Sequence, residues 1–163
     1  MVSQQRKTTK TEGSGMIGLT MEADNALRIT YLLGSRGEVT DTPTIAQSVA
    51  VPIRFALKIL RKLTQGGIVT SRRGKNGGYL LARSPADITV RQIIELIDGP
   101  ILINRCVDES NCCSRMGYDK AKCAFHRLFA AESARLADKF DRVTLQQILD
   151  DCIPAAPSTS AKT

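Results

Sequence analysis

Residues 52–82 read PIRFALKILRKLTQGGIVTSRRGKNGGYLLA, and this stretch decides the fold. Pro52 opens a helix whose apolar positions Ile53, Ala56, Leu57, Leu60 and Leu63 recur at helical spacing and form the expected buried stripe. Arg54, Lys58, Arg61 and Lys62 fall on other faces. Gly66 or Gly67 supplies a left-handed stop. A strand from Ile68 to Arg72 follows, with Tyr79 to Ala82 as its return partner. The tip between them, Arg73-Gly74-Lys75-Asn76-Gly77-Gly78, joins turn-forming glycines to cations. Upstream, Thr42 as N-cap before Pro43 starts a short helix through about Val49. A short helix, a turn, a longer cationic helix and a basic hairpin make the plan of a winged helix-turn-helix.

The charge distribution says what such a unit meets. Between Asp41 and Asp87 lie 45 residues without a carboxylate, carrying Arg54, Lys58, Arg61, Lys62, Arg72, Arg73, Lys75 and Arg83, eight positive charges against a net +7 for the whole chain. A cationic helix and a hairpin that can both reach a duplex make double-stranded DNA the expected partner. Arg54 and Lys58 are expected to face the major groove and Arg61 or Lys62 to touch phosphate, while Arg73 and Lys75 border or enter the minor groove, with Arg72 in the same basic set. A plain solvated hairpin is the alternative reading of the tip, and its place behind a cationic helix favours the wing. With no Trp and 4% aromatic residues, a sheet that stacks single-stranded bases is disfavoured.

The remainder of the 163 residues organises around this unit. Apolar Ala23, Ala26, Leu27 and Tyr31 mark a first helix from Thr20 to Leu33, broken over Gly34 to Gly37. Thr89 and Gln92 form a capping box for a helix through Ile97, ended by Asp98-Gly99-Pro100. The longest helix spans about Cys123 to Phe140, striped by Phe125, Leu128, Phe129, Leu136 and Phe140. So much apolar surface in so small a domain points to packing against a second copy in a homodimer. Thr144 and Gln147 cap a last short helix carrying Leu145, Ile148 and Leu149. The fold class is therefore mostly α with a small β-hairpin, a winged helix-turn-helix plus a long dimerisation helix. Residues 1–15 and 154–163 read as disordered tails, 16–100 as the DNA-binding domain, and 101–153 as a cysteine loop with dimerisation helices. No apolar run approaches the roughly 20 residues that span a bilayer, and the amino terminus lacks a hydrophobic signal segment, so a cytoplasmic protein is expected.

Four of five cysteines, Cys106, Cys112, Cys113 and Cys123, crowd one interhelical loop, and the single histidine, His126, follows Cys123 by one helical turn. Cys152 stands apart. In a reducing compartment such clustering points to metal or redox chemistry more than to disulfides. Thiolates suit iron-sulfur clusters and zinc, but the paired Cys-x-x-Cys knuckles of a zinc ribbon are absent, which favours an iron-sulfur cluster. Adjacent Cys112 and Cys113 point in different directions, so one of them binds, with Cys112 preferred and Cys113 as its alternate. A zinc-dependent or cluster-free thiol regulator, and a small iron-sulfur carrier, are the competing readings. No nucleophile-base constellation or phosphate-cradling loop suggests an enzyme.

The segment Leu57-Lys58-Ile59-Leu60-Arg61-Lys62-Leu63, then Gly67-Ile68-Val69 and Arg72-Arg73-Gly74-Lys75-Asn76-Gly77-Gly78-Tyr79-Leu80-Leu81-Ala82, resembles the Rrf2 family of bacterial winged-helix regulators. Leu19-Thr20, Asp24 and Ala26-Leu27-Arg28 resemble that family's opening helix. The resemblance extends over about Ile17 to Asp150. It implies a homodimer on a palindromic operator, one cluster per subunit held by three loop cysteines, and redox state, nitric oxide or iron supply as the signal. It also implies two candidates for the fourth ligand. Asp24, given across the dimer, matches the nitric-oxide-sensing branch with its 4Fe-4S site. His126 matches the cluster-assembly regulators with their 2Fe-2S site. Ten residues separate Cys112 from Cys123, wider than the family's usual spacing.

Overall fold

A computed structural model describes residues 18–74, 76–108 and 119–151. Helix α1 (Met21–Arg36) starts at Thr20, whose hydroxyl accepts from the Ala23 amide at 3.1 Å. The Thr20 amide donates in turn to Asp98 Oδ2 at 3.1 Å, so the start of α1 is tied to a distant helix end. Of the break expected over Gly34 to Gly37, only its last residue ends the helix. The helix runs on to Arg36 and stops at Gly37, which adopts a left-handed φ of 65°. Gly34 is small for packing: a Cβ there would stand 2.9 Å from Leu149 Cδ1.

Helix α2 (Thr42–Ser48) is capped one residue earlier than the sequence suggests. Asp41, not Thr42, is the N-cap, because its two carboxylate oxygens take the Thr44 amide at 2.9 Å and the Thr44 hydroxyl at 2.8 Å. Those two bonds hold the Asp41 carboxyl below the usual carboxylate range. Helix α3 (Ile53–Gln65) buries Ala56, Ile59, Leu60 and Leu63. This corrects the expected stripe: Ile53 and Leu57 remain 48% and 42% exposed. Positions 56, 59, 60 and 63 fall on one side of a 3.6-residue helix, whereas 53 and 57 lie one ridge further round.

After Gly67, at φ 68°, strand β1 (Val69–Arg72) pairs antiparallel with β2 (Gly78–Leu81), in register from Val69 opposite Leu81 to Arg72 opposite Gly78. The hairpin is fixed to the helical body by Thr40 and Tyr79, which exchange both backbone hydrogen bonds at 2.9 Å. Helix α4 (Val90–Asp98) carries the Thr89–Gln92 capping box, and the chain then crosses to α5 (Ala124–Asp141) and α6 (Leu145–Leu149), the last with a Thr144–Gln147 capping box. Leu145 enters the core with Ile29, Leu33, Ile59, Leu60 and Ile93, so α6 shares the hydrophobic centre of α1 to α4. Helix α5 is bound much less completely. Its buried residues are Ser133 and Ala137, while Phe125 is 70% and Leu128 52% exposed. Among the described residues, no helix is long and apolar enough to cross a membrane.

Candidate DNA-reading face and cysteine site

Helix α3 is positioned by its buried ridge, which leaves Arg54, Lys58 and Arg61 on the outer side at spacings of four and three residues. Arg72 and Arg73 are exposed at the end of β1 and the start of the tip. Lys75 lies outside the described residues. Among the described residues, the side chains of Arg54, Arg61, Arg72 and Arg73 make no intramolecular hydrogen bond or ion pair, so their planar donor forks are available to another molecule. Arg83 is differently employed, donating to the Asp87 carbonyl at 3.0 Å and to Gln92 Oε1 at 2.9 Å. It braces the chain behind the hairpin.

The lysines of α3 have a partner that sequence reasoning missed. Glu22, in the first turn of α1, stands 2.8 Å from Lys58 Nζ and 2.8 Å from Lys62 Nζ. Lys62 also approaches the Ile97 carbonyl at 3.4 Å. Burial raises the Glu22 carboxyl, but hydrogen bonds and charge from Lys58 and Lys62 outweigh it and leave the group below the usual carboxylate range. Nothing local signals this contact, which spans 36 residues between Glu22 and Lys58. Two cations expected to meet DNA are thus shared with a carboxylate of the same chain. Glu22→Gln is expected to free Lys58 for phosphate and steepen the salt dependence of duplex binding by about one unit of log-log slope. Fluorescence anisotropy over a range of salt measures it, and an unchanged slope would show that the lysines reach phosphate despite Glu22.

Cys106 sits in a short 3-10 turn (Arg105–Val107), and Cys123 is the N-cap residue of α5. Both are free, partly exposed thiols. Neither is far in structure from His126, whose Nδ1 lies 3.0 Å from the Cys106 carbonyl oxygen. A carbonyl only accepts, so this bond places the ring proton on Nδ1 and leaves the Nε2 lone pair of a neutral imidazole available. The segment before Cys106 is anchored by Ser133, whose hydroxyl accepts from the Ile103 amide at 3.0 Å and donates to the Phe129 carbonyl at 2.7 Å. Cys112, Cys113 and Cys152 lie outside the described residues. Among the described residues, no three potential metal ligands are gathered at one point. The donor types nonetheless fit a thiolate-bound metal group: two thiols with no partner among the described residues and an imidazole oriented by a backbone carbonyl. Asp24 is placed elsewhere, half-exposed on α1 and paired with Arg28 at 3.0 Å.

A cationic helix braced on a hydrophobic body, followed by a docked basic hairpin, defines a winged-helix DNA-binding regulator. The family model for Rrf2, an iron-dependent transcriptional regulator, matches residues 19–151, and the chain belongs to that family. An rrf2-like HTH-type transcriptional regulator of Rhodobacter capsulatus is 34% identical over 114 residues, which cover 69% of this chain and 75% of that protein. The IscR regulator of Pectobacterium carotovorum is 28% identical over 107 residues, or 66% of this chain and 62% of that relative. Among solved structures, CymR, the global cysteine regulator of B. subtilis, shares the fold at a TM-score of 0.67 and 24% identity, covering 83% of this chain and 98% of CymR. T. potens IscR does so at 0.63 and 20% identity, over 88% and 95% of the two chains. The protein is thus a transcriptional regulator and not an enzyme.

Proposed function

We propose that the protein is a homodimeric regulator that binds a two-fold DNA site with an affinity set by an iron-sulfur cluster on its cysteine segment. The observation that carries the sensing half is His126, held through Nδ1 by the Cys106 carbonyl with Nε2 left open beside a cysteine-bearing helix start. The matching family model, described as iron-dependent, supports the same reading. Cys106 and Cys123 supply two thiolates, and Cys112, or Cys113 in its place, supplies the third. His126 is the preferred fourth donor, because the Cys106 carbonyl already holds its ring beside the cysteine segment, whereas Asp24 lies in an exposed pair with Arg28 on α1. Bound there, the cluster supplies an iron centre whose integrity depends on redox state, nitric oxide or iron supply.

The chain's own residues then link that segment to the reading helix. Ser133 fixes Ile103 on α5, Asp98 at the end of α4 holds Thr20 at the start of α1, and Glu22 two residues on holds Lys58 and Lys62 of α3. A shift of the segment 99–108 can reach the DNA face through these contacts. Dimerisation is supported by the uncovered apolar face of α5 and by an apolar hollow beside it, about 460 Å³, lined in part by Leu19, Pro100, Leu102, Leu136 and Phe140. In a dimer the two α3 helices would meet half-sites about 34–36 Å apart.

Anaerobic purification followed by visible spectroscopy and native mass spectrometry tests the proposal. A coloured protein with iron and sulfide mass is expected. A 2Fe-2S mass supports His126 as ligand, and a 4Fe-4S mass supports the partner's Asp24. A protein that stays colourless and metal-free under reconstituting conditions would make the cysteines a thiol switch instead, and a zinc mass would make them a zinc site.

A further inference from the structure

The outer side of α3 presents two large apolar side chains among its arginines. Leu57 and Ile53 lie one turn apart, 42% and 48% exposed. The core does not need them, since Ala56, Ile59, Leu60 and Leu63 already fill the inner face. Leu57 lines a groove between α3 and the hairpin, together with Arg61, Thr64 and Gln65 from the helix and Ser71 and Tyr79 from the strands. Arg54 precedes Leu57 by three residues and Arg61 follows it by four, and neither arginine has an intramolecular partner among the described residues.

This mixture selects among possible occupants. A purely apolar partner would strand the arginines, and a surface of phosphate alone would leave Leu57 and Ile53 without a contact. The major groove of a duplex satisfies both. Phosphate and guanine edges take the arginines, and the one apolar group displayed in that groove, the C5-methyl of thymine, takes an aliphatic side chain. We propose that Leu57, with Ile53 beside it, is a specificity-determining residue that reads a thymine methyl in each half-site. The assignment rests on the DNA-binding reading above and adds to it the identity of a base. It predicts a thymine at a fixed distance from the guanine contacted by Arg54 or Arg61.

The test uses the full chain and works without a defined operator sequence. Duplexes with a randomised centre are enriched by binding, and each thymine of the enriched sequence is replaced singly by deoxyuridine, which deletes only the methyl. At one thymine per half-site, the wild-type protein should bind about fourfold more weakly to the uracil duplex, as expected for one buried methyl group. Leu57→Ala should bind thymine and uracil duplexes equally while unfolding at the wild-type temperature, because the side chain is exposed. Indifference of the wild-type protein to every such replacement overturns the inference and leaves DNA binding intact. So does a Leu57→Ala protein that still distinguishes thymine from uracil. Failure to enrich any sequence would overturn the DNA-binding reading and this inference with it.

Discussion

Gly78→Ala is expected to destabilise the protein by about 3 kcal/mol, roughly a 10 °C fall in Tm, and to loosen the hairpin from the body. The reason is backbone crowding. A Cβ on Gly78 would stand 2.6 Å from the Thr40 carbonyl carbon and 2.9 Å from the Asp41 nitrogen. Neither atom can yield as the tip of a side chain would. Thr40 is bonded to Tyr79 on both its N–H and its C=O, and Asp41 caps α2. Relief therefore requires the hairpin to move and to give up two backbone hydrogen bonds, each about 1 kcal/mol net. The same shift would carry Arg72 and Arg73 away from the axis of α3, so duplex affinity should fall and its salt slope flatten. Calorimetry and anisotropy measure the two effects. Wild-type behaviour in both would mean that the hairpin is not held against Thr40 as described.

Cys106→Ser is expected to abolish the visible chromophore of the anaerobically prepared protein while changing the stability of the metal-free form by less than about 0.5 kcal/mol. The thiol is partly exposed and the replacement nearly isosteric, so little packing is lost. The contribution of Cys106 to the fold is its backbone carbonyl, which holds His126 and survives the substitution. The variant therefore separates the sulfur from the peptide group. Full retention of the chromophore would remove Cys106 from the ligand set. A large drop in metal-free stability would instead make the residue structural.

The winged-helix plan was legible because its signals are local. The Thr89–Gln92 and Thr144–Gln147 capping boxes form as their spacing predicts, and Gly67 takes the left-handed conformation that follows α3. Errors arose where a residue type answers to something distant. Gly34 reads as a helix breaker until Leu149 is seen beside it. Ile53 and Leu57 match the apolar repeat of α3, but a 13-residue helix offers more than one apolar ridge, and the packing of α1, α2, α4 and β1 decides which is buried. The candidate site was legible as a set of residue types. Charge placement pointed to Arg54 and Arg61, which do present free guanidinium groups, yet no local pattern could pair Lys58 and Lys62 with Glu22. For the cysteines, spacing drew attention to Cys123 and His126, and the bond from His126 to the Cys106 carbonyl adds which imidazole nitrogen remains open.

If the state of the cysteine segment sets DNA affinity, removing the cluster must change how tightly the protein holds its site. The dissociation constant of one enriched duplex, taken for the same anaerobic preparation before and after removal of iron and sulfide at fixed salt, measures this directly. Specific binding by at least one form is expected, with a difference of about tenfold or more between the two, the size of a typical coupling between sites. Equal affinities from a preparation shown to carry the cluster would contradict the coupling of the cysteine segment to the DNA face.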